Sequence, residues 1–178
     1  WGGGSGTYPG NSNWTEGGAT TGNGSSPDSG DKWETWEAGI RVPWIVQWEG
    51  RIPAGVVIDE PVIQLDILPT ALAAAGSDEG QFDGLNLLPL MEGAVSTLKK
   101  RPLYWRVASQ RKGIETFAIR YGDWKLAKPV RDEATVVLVN LAKDRGELKD
   151  VSKKHPEKVS ELQDLWDKWN TSMKAPAW

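Results

Sequence analysis

The apolar positions of residues 40–48 predict a strand that follows a long polar segment. Ile40 to Trp48 are mostly β-branched or aromatic, which is typical of a strand at least partly buried in a sheet. Residues 1–31 hold half of all the glycines and few large apolar groups, so they cannot form a core by themselves. A long loop of this composition inside a compact domain is typical of a functional loop lying across a site.

One helix is predicted in the middle of the chain. Asp66 suits the N-cap, and Pro69 falls in the first turn, where a missing N–H does no harm. Gly76 follows an alanine-rich run at the position expected for a helix C-terminus. The predicted helix spans 67–75, and the apolar run at 85–91 is expected to dock on the core.

Beyond Arg101 the pattern becomes that of a small antiparallel sheet followed by a helix. Gly122-Asp123 indicates a tight hairpin between two of the strands. A final helix is predicted over 156–173, behind Pro156 at its first position, and its apolar stripe needs the sheet as a partner. The predicted strands are 103–107, 116–121, 124–127 and 135–141, and the stripe consists of Val159, Leu162, Leu165, Trp166, Trp169 and Met173.

Composition narrows the classes of function. A chain of 178 residues suits one domain, or one small domain plus a piece of another. The net charge of -3 argues against nucleic-acid binding, which needs a concentrated basic surface. No apolar run is long enough to span a bilayer, so no membrane partner is expected. Trp1 begins neither a signal peptide nor a normal translated start, so we expect an internal or processed segment.

A self-contained active site is not predicted. The chain has no cysteine and one histidine, which excludes a His/Cys zinc site and a Ser-His-Asp triad with normal partners. His155 lies where the final helix begins, as expected of a solvated or capping residue. The acidic pairs lie in turns and show no metal-ligand spacing.

Lys32 is the one residue with a candidate chemical role. It ends the polar segment, and a lysine ammonium is a compact charge that can hold an anionic oxygen. In a water-poor site such a cation stabilises the charge that develops on a sulfuryl or phosphoryl group during transfer. Spacing alone favours a solvent-exposed loop lysine. Arg41 could also meet an anion, but within a strand it more often pairs with a carboxylate such as Glu37.

The run from Lys32 to Val46 resembles a segment of the type I, formylglycine-dependent sulfatases of the alkaline phosphatase superfamily. That segment reads Lys-Gly-Thr-x-Trp/Tyr-Glu-Gly-Gly-Ile-Arg-Val-Pro-Phe-Ile-Val. Further stretches resemble the C-terminal portion of the same family in the same order, and together they cover about 32–170. They are 48–55, 66–70, 83–87, 103–106, 118–126 and 141–147. Their order makes the resemblance specific.

The resemblance implies an α/β fold in two parts. Residues 1–100 would hold the glycine-rich active-site loop and the last strand and helix of a sulfatase α/β/α catalytic domain. Residues 101–178 would form a small antiparallel sheet packed by a C-terminal helix. The implied activity is hydrolysis of a sulfate ester, on a sulfated carbohydrate or an aryl sulfate. Lys32 would contact the sulfate, and Trp33 beside it would shape the pocket. The implied location is periplasmic, secreted or lysosomal.

Calcium and formylglycine are also implied by the resemblance, but the sequence lacks their motifs. In the family, formylglycine is made from the Cys or Ser of a Cys/Ser-x-Pro-x-Arg motif. The most similar string in this chain begins at Ser25 and has Ser29 where arginine is required. We therefore expect both groups to come from residues outside this chain, in the remainder of the catalytic domain, so that this chain alone is not competent.

Smaller departures from the family pattern are Trp33 and Ala38, where the family often has Gly, and Arg145, where it has Pro. Two alternatives to a sulfatase stay open. One is a catalytically inactive fragment that binds carbohydrate or another partner, with loop tryptophans such as Trp1, Trp14 and Trp33 as stacking faces. The other is a related phosphoester or phosphonate hydrolase.

Overall fold

The computed structural model describes residues 34–77, 79–109, 114–128 and 136–175. The chain divides into two compact units, of which one combines residues up to Pro43 with those from Arg101 onward, and the other spans Trp44–Lys100. The described residues 34–43 therefore pack with the C-terminal sheet. The assignment of residues 1–100 and 101–178 to two sulfatase subdomains stays a prediction.

A four-stranded antiparallel sheet forms the centre of the first unit. The strands are β1 Pro102–Ser109, β2 Ile114–Tyr121, β3 Trp124–Lys128 and β4 Val137–Asn140. They follow one another in chain order, and β2 and β3 are joined by the two residues Gly122-Asp123, since Tyr121 pairs with Trp124. Gly122 has a φ of 64°, a conformation that glycine adopts without strain. Both the sheet and its predicted hairpin are confirmed.

The helix α4, Pro156–Ser172, covers one face of this sheet. Leu162 and Trp166 are buried against the strands, and Trp166 stacks on Phe117 with ring centroids 4.3 Å apart. The predicted helix and its partner are confirmed. Met173 is the exception, because it follows the helix in an extended conformation and is 41% exposed.

The predicted strand at 40–48 is wrong. Glu37–Ile40 form a single helical turn, α1, and the described residues offer no strand that pairs with 41–48. Ile45 is 92% exposed. β-branched and aromatic residues favour a strand only where a neighbouring strand supplies hydrogen bonds and packing, and Pro43 cannot donate such a bond.

The second unit contains two short helices, α2 Ile67–Ala74 and α3 Leu88–Met91. The predicted helix at 67–75 is confirmed, and so is the docking of the apolar run, since Leu87, Leu88 and Met91 form a buried cluster. Asp66 stands at the N-cap, but its carboxylate does not cap α2. It accepts hydrogen bonds from the amides of Ile63 and Leu85, at 2.9 and 2.8 Å.

Candidate functional site

The predicted site residues Lys32 and Trp33 lie outside the described residues, as does the Ser25–Ser29 string. Residues 34–37, which follow them directly, lie against the sheet. Thr35 is 2% exposed, and its hydroxyl donates to the carbonyl of Phe117 at 3.1 Å. Trp36 is 5% exposed and packs on Ala118 and Ala127. The residues that follow the candidate lysine are therefore held on β2 and β3.

A buried ion triad, defined here as Glu37, Lys125 and Glu147, joins this segment to the sheet. The Nζ atom of Lys125 lies 2.9 Å from Glu37 Oε1 and 2.7 Å from Glu147 Oε1. The second oxygen of Glu147 accepts a hydrogen bond from the backbone N–H of Glu37, at 2.6 Å. The side chains of Lys125 and Glu147 are 0% exposed and that of Glu37 is 5% exposed.

Strand alternation explains how a lysine comes to be buried here. Successive side chains of a strand point to opposite faces, and Trp124 and Leu126 pack in the cluster with α4. Lys125 therefore points to the other face of β3, which the segment at 35–37 covers. Glu147 follows β4 in a turn and has a φ of 56°, which few residues other than glycine adopt.

Burial changes the electrostatics of the triad. It raises the pKa of Glu147 from 4.5 to about 7, against the opposing effects of the Lys125 charge and the Glu37 N–H. Arg120, which pairs with Lys125 across β2 and β3, has its pKa lowered by burial. The predicted pairing of Arg41 with Glu37 is present at 3.9 Å. All three triad members bind one another and exclude solvent, so the triad suits an anchor rather than a ligand site.

Within the described residues, no three His, Asp or Glu side chains gather as metal ligands would. The two most deeply buried glutamates already bind Lys125, so the described part of the chain does not fit the calcium site that the resemblance implies. His155 occupies the N-cap of α4 without a capping hydrogen bond, and its side chain is 42% exposed. Of the helices that the structure describes, none is long and apolar enough to cross a membrane.

Sequence reasoning did not predict the triad. The sequence pattern indicates Glu37 only as a partner for Arg41, and it indicates no role for Lys125 or Glu147. All three lie in the stretches that carry the resemblance, at 32–46, 118–126 and 141–147. A signal does exist for one of them, because a lysine inside the strand sequence Trp-Lys-Leu-Ala needs either solvent or a counter-charge on its face of the sheet.

Comparison with known proteins identifies the family. Residues 30–174 match the family model of N-sulphoglucosamine sulphohydrolase, C-terminal. Human steryl-sulfatase is 46% identical over 67 residues, which are 36% of this chain and 12% of that protein. N-acetylgalactosamine-6-sulfatase of Canis lupus familiaris is 36% identical over 97 residues, covering 53% of this chain and 17% of that protein.

Solved structures have the same fold. Ps i-CgsB, in complex with k-i-k-neocarrahexaose, superposes with a TM-score of 0.74 at 30% identity, over 85% of this chain and 34% of its own. A sulfatase from the metabolism of multiple glycosaminoglycans by Bacteroides thetaiotaomicron superposes with a TM-score of 0.65 at 25% identity. The superposition covers 80% of this chain and 32% of the sulfatase. The matched region is thus about a third of each solved chain. Because the family model matches residues 30–174, which are most of this chain, the chain belongs to the N-sulphoglucosamine sulphohydrolase C-terminal family of sulfatases.

Proposed function

We propose that this chain is the C-terminal part of a sulfuric ester hydrolase that acts on a sulfated carbohydrate or an aryl sulfate. The formylglycine nucleophile and the calcium ligands come from residues outside these 178. Lys32 contacts the sulfate group, and Trp33 narrows the pocket beside it. The enzyme works in a periplasmic, secreted or lysosomal compartment.

The observation that carries the proposal is the family match over residues 30–174, because it includes Lys32. The names of two similar proteins favour a sugar substrate, since one is an N-acetylgalactosamine-6-sulfatase and the other was solved with k-i-k-neocarrahexaose. The match to human steryl-sulfatase favours a substrate other than a carbohydrate, so the aryl sulfate is retained as the second candidate.

The first test of the proposal is the sequence that precedes Trp1 in the gene, together with the intact mass of the purified protein. A Cys/Ser-x-Pro-x-Arg motif upstream, together with the Asp-Asn pair that the resemblance implies as metal ligands, would support a complete sulfatase. A translated start at Trp1 would contradict it and would leave the inactive binding module.

The second test is the variant Lys32→Ala in the complete enzyme. Turnover of a sulfate ester should fall on the order of a hundredfold or more, the scale of losing one charge-stabilising donor. Lys149→Ala is a suitable control, because Lys149 is an exposed lysine outside the triad. Unchanged turnover in Lys32→Ala would refute the assigned role. Faster turnover of the matching phosphate ester would identify a phosphoester hydrolase instead.

A further inference from the structure

We propose that residues 44–47 become a β-strand in the complete protein, and that the partner strand is supplied by the part of the catalytic domain outside these 178 residues. This inference rests on the proposed function, since it takes the chain to be one part of a larger catalytic domain. It identifies the surface of the second unit on which the remainder of that domain docks.

The backbone of residues 44–47 has hydrogen-bonding groups without partners. These residues form no helix or turn, and within the part of the chain that the structure describes, none of their N–H or C=O groups is hydrogen-bonded. The next bonded group is the carbonyl of Trp48, which accepts from the amides of Arg51 and Ile52. A row of free N–H and C=O groups along an extended segment is a template for a further strand.

The side chains of this segment alternate as those of a strand do. Trp44, Val46 and Trp48 line a cleft of about 890 Å³, to which Gln47 also contributes. Ile45 does not line the cleft and is 92% exposed. Side chains that alternate between two faces have the period of an extended chain. The segment therefore has the side-chain arrangement of a strand and lacks the neighbour that would complete it.

Pro43 indicates which edge of the segment the partner strand takes. In a strand, residues 43, 45 and 47 present their N–H groups to one edge, and residues 44 and 46 present theirs to the other. Proline has no N–H to donate, so within sheets it lies where its edge faces away from a neighbouring strand. The partner strand is therefore expected to pair with Trp44 and Val46.

The apolar side chains beside the segment suit a protein partner. Val56, Val57 and Ile58 line the same cleft, and Val57 is 84% exposed. Apolar side chains grouped around one cleft mark a binding surface, whereas single exposed ones do not. A carbohydrate could stack on the tryptophans, but it would leave the aliphatic side chains and the backbone groups unsatisfied. A strand with its own apolar side chains satisfies both.

The length of the relatives identifies the occupant. Ps i-CgsB superposes on 85% of this chain, and the match covers only 34% of its own length. Proteins with this fold thus contain a large further part of the polypeptide. A second copy of this chain would not supply that part, so we assign the surface to the remainder of the catalytic domain.

The test is amide hydrogen exchange in the complete protein and in this 178-residue chain. In the complete protein, the amides of Trp44 and Val46 should exchange at least about a hundredfold more slowly than in an unstructured peptide, because they exchange only when the structure opens. In the 178-residue chain they should exchange close to the peptide rate. The amide of Ile119, in the middle of β2, should be protected in both and is the control. Exchange at the peptide rate for Trp44 and Val46 in the complete protein would overturn the proposal.

A matched pair of proline variants tests the assigned edge. Val46→Pro removes an N–H group from the pairing edge, and Ile45→Pro removes one from the opposite edge. In the complete protein, Val46→Pro should lower Tm more than Ile45→Pro does, and equal shifts would overturn the assigned edge. In the 178-residue chain neither variant should change Tm, since neither amide is hydrogen-bonded there. Should Val46→Pro prevent folding of the complete protein, the exchange rates of the parent decide.

The outcomes separate the docking surface from the proposed activity. Protected amides in a complete protein that hydrolyses no sulfate ester would remove the activity and keep the docking surface. Turnover of a sulfate ester with unprotected amides would overturn the docking surface and keep the activity. Protection that appears in the 178-residue chain and increases with its concentration would assign the surface to a second copy and overturn the proposal.

Discussion

Lys125 and Glu147 place Nζ and Oε1 2.7 Å apart with both side chains wholly buried. Glu37 completes the contact from the other side of the lysine, at 2.9 Å. One cation thus serves two carboxylates away from water, where an unpaired charge would be strongly unfavourable. The three residues come from α1, β3 and the turn after β4, so the contact forms only when the sheet and the segment at 35–37 are both in place.

Removal of the shared cation should destabilise the first unit. Lys125→Met removes the cation that touches both buried carboxylates and leaves Glu37 only its longer contact with Arg41, at 3.9 Å. Breaking a buried pair in this way costs about 3–5 kcal/mol in the free energy of unfolding. Urea denaturation near neutral pH measures the loss. The loss should be smaller near pH 5, where a buried carboxyl can take up a proton.

The matched control for Lys125→Met is Lys149→Met. Lys149 is an exposed lysine two residues after Glu147. Surface substitutions usually change stability by no more than about 0.5 kcal/mol. A similar loss in both variants would show that lysine replacement in general, and not the triad, is responsible.

Stability should fall as the pH rises from about 5 to about 8. The pKa of Glu147 is raised from 4.5 to about 7 in the folded protein, chiefly by burial. The folded state then binds the proton more tightly than the unfolded chain, so this contribution is complete below about pH 4.5 and is lost as the pH passes about 7. Thermal unfolding across this range, compared with Glu147→Gln, isolates the effect. A parent and variant that change in parallel would exclude Glu147 as the source.

Truncation in the core under α4 should cost more than truncation at the surface. Leu162 is completely buried, and Leu162→Ala should lower the free energy of unfolding by about 2–5 kcal/mol through lost contacts and a residual cavity. Leu148 is 47% exposed, so Leu148→Ala should have little effect. Equal losses in denaturant unfolding would contradict the assigned packing.

Gly84→Ala should destabilise the second unit. A Cβ at residue 84 would overlap the backbone carbonyl of Leu65 and come within 2.8 Å of the Asp66 amide nitrogen, and neither backbone atom can move aside cheaply. We expect a loss above about 2 kcal/mol. Amide hydrogen exchange at Leu85 and Leu87 should accelerate, because Asp66 and Thr70 accept their hydrogen bonds.

Gly93→Ala provides the comparison, since Gly93 has a φ of 77° and open space around it. Its cost should be only the left-handed strain of about 1–2 kcal/mol, with exchange at Leu85 unchanged. A larger loss at Gly93 than at Gly84 would contradict the close approach.

Local rules succeeded where neighbours in sequence decide the structure. The helical spacing from Val159 to Trp169 predicted α4, and Gly122-Asp123 predicted the hairpin, because both signals depend on residues a few positions apart. The same rules failed at Ile40–Trp48, where strand formation requires a partner strand that the described residues do not supply.

The sequence by itself determined that a small antiparallel sheet followed by a helix lies beyond residue 101. Through its resemblance, it also determined the sulfatase family that the match over residues 30–174 confirmed. It also singled out Lys32. Only the tertiary structure brought Glu37, Lys125 and Glu147 together, since no periodicity links residues 37, 125 and 147. The physical reason is that a buried charge is tolerated only where distant parts of the chain supply its counter-charges, and that match exists only in the folded protein.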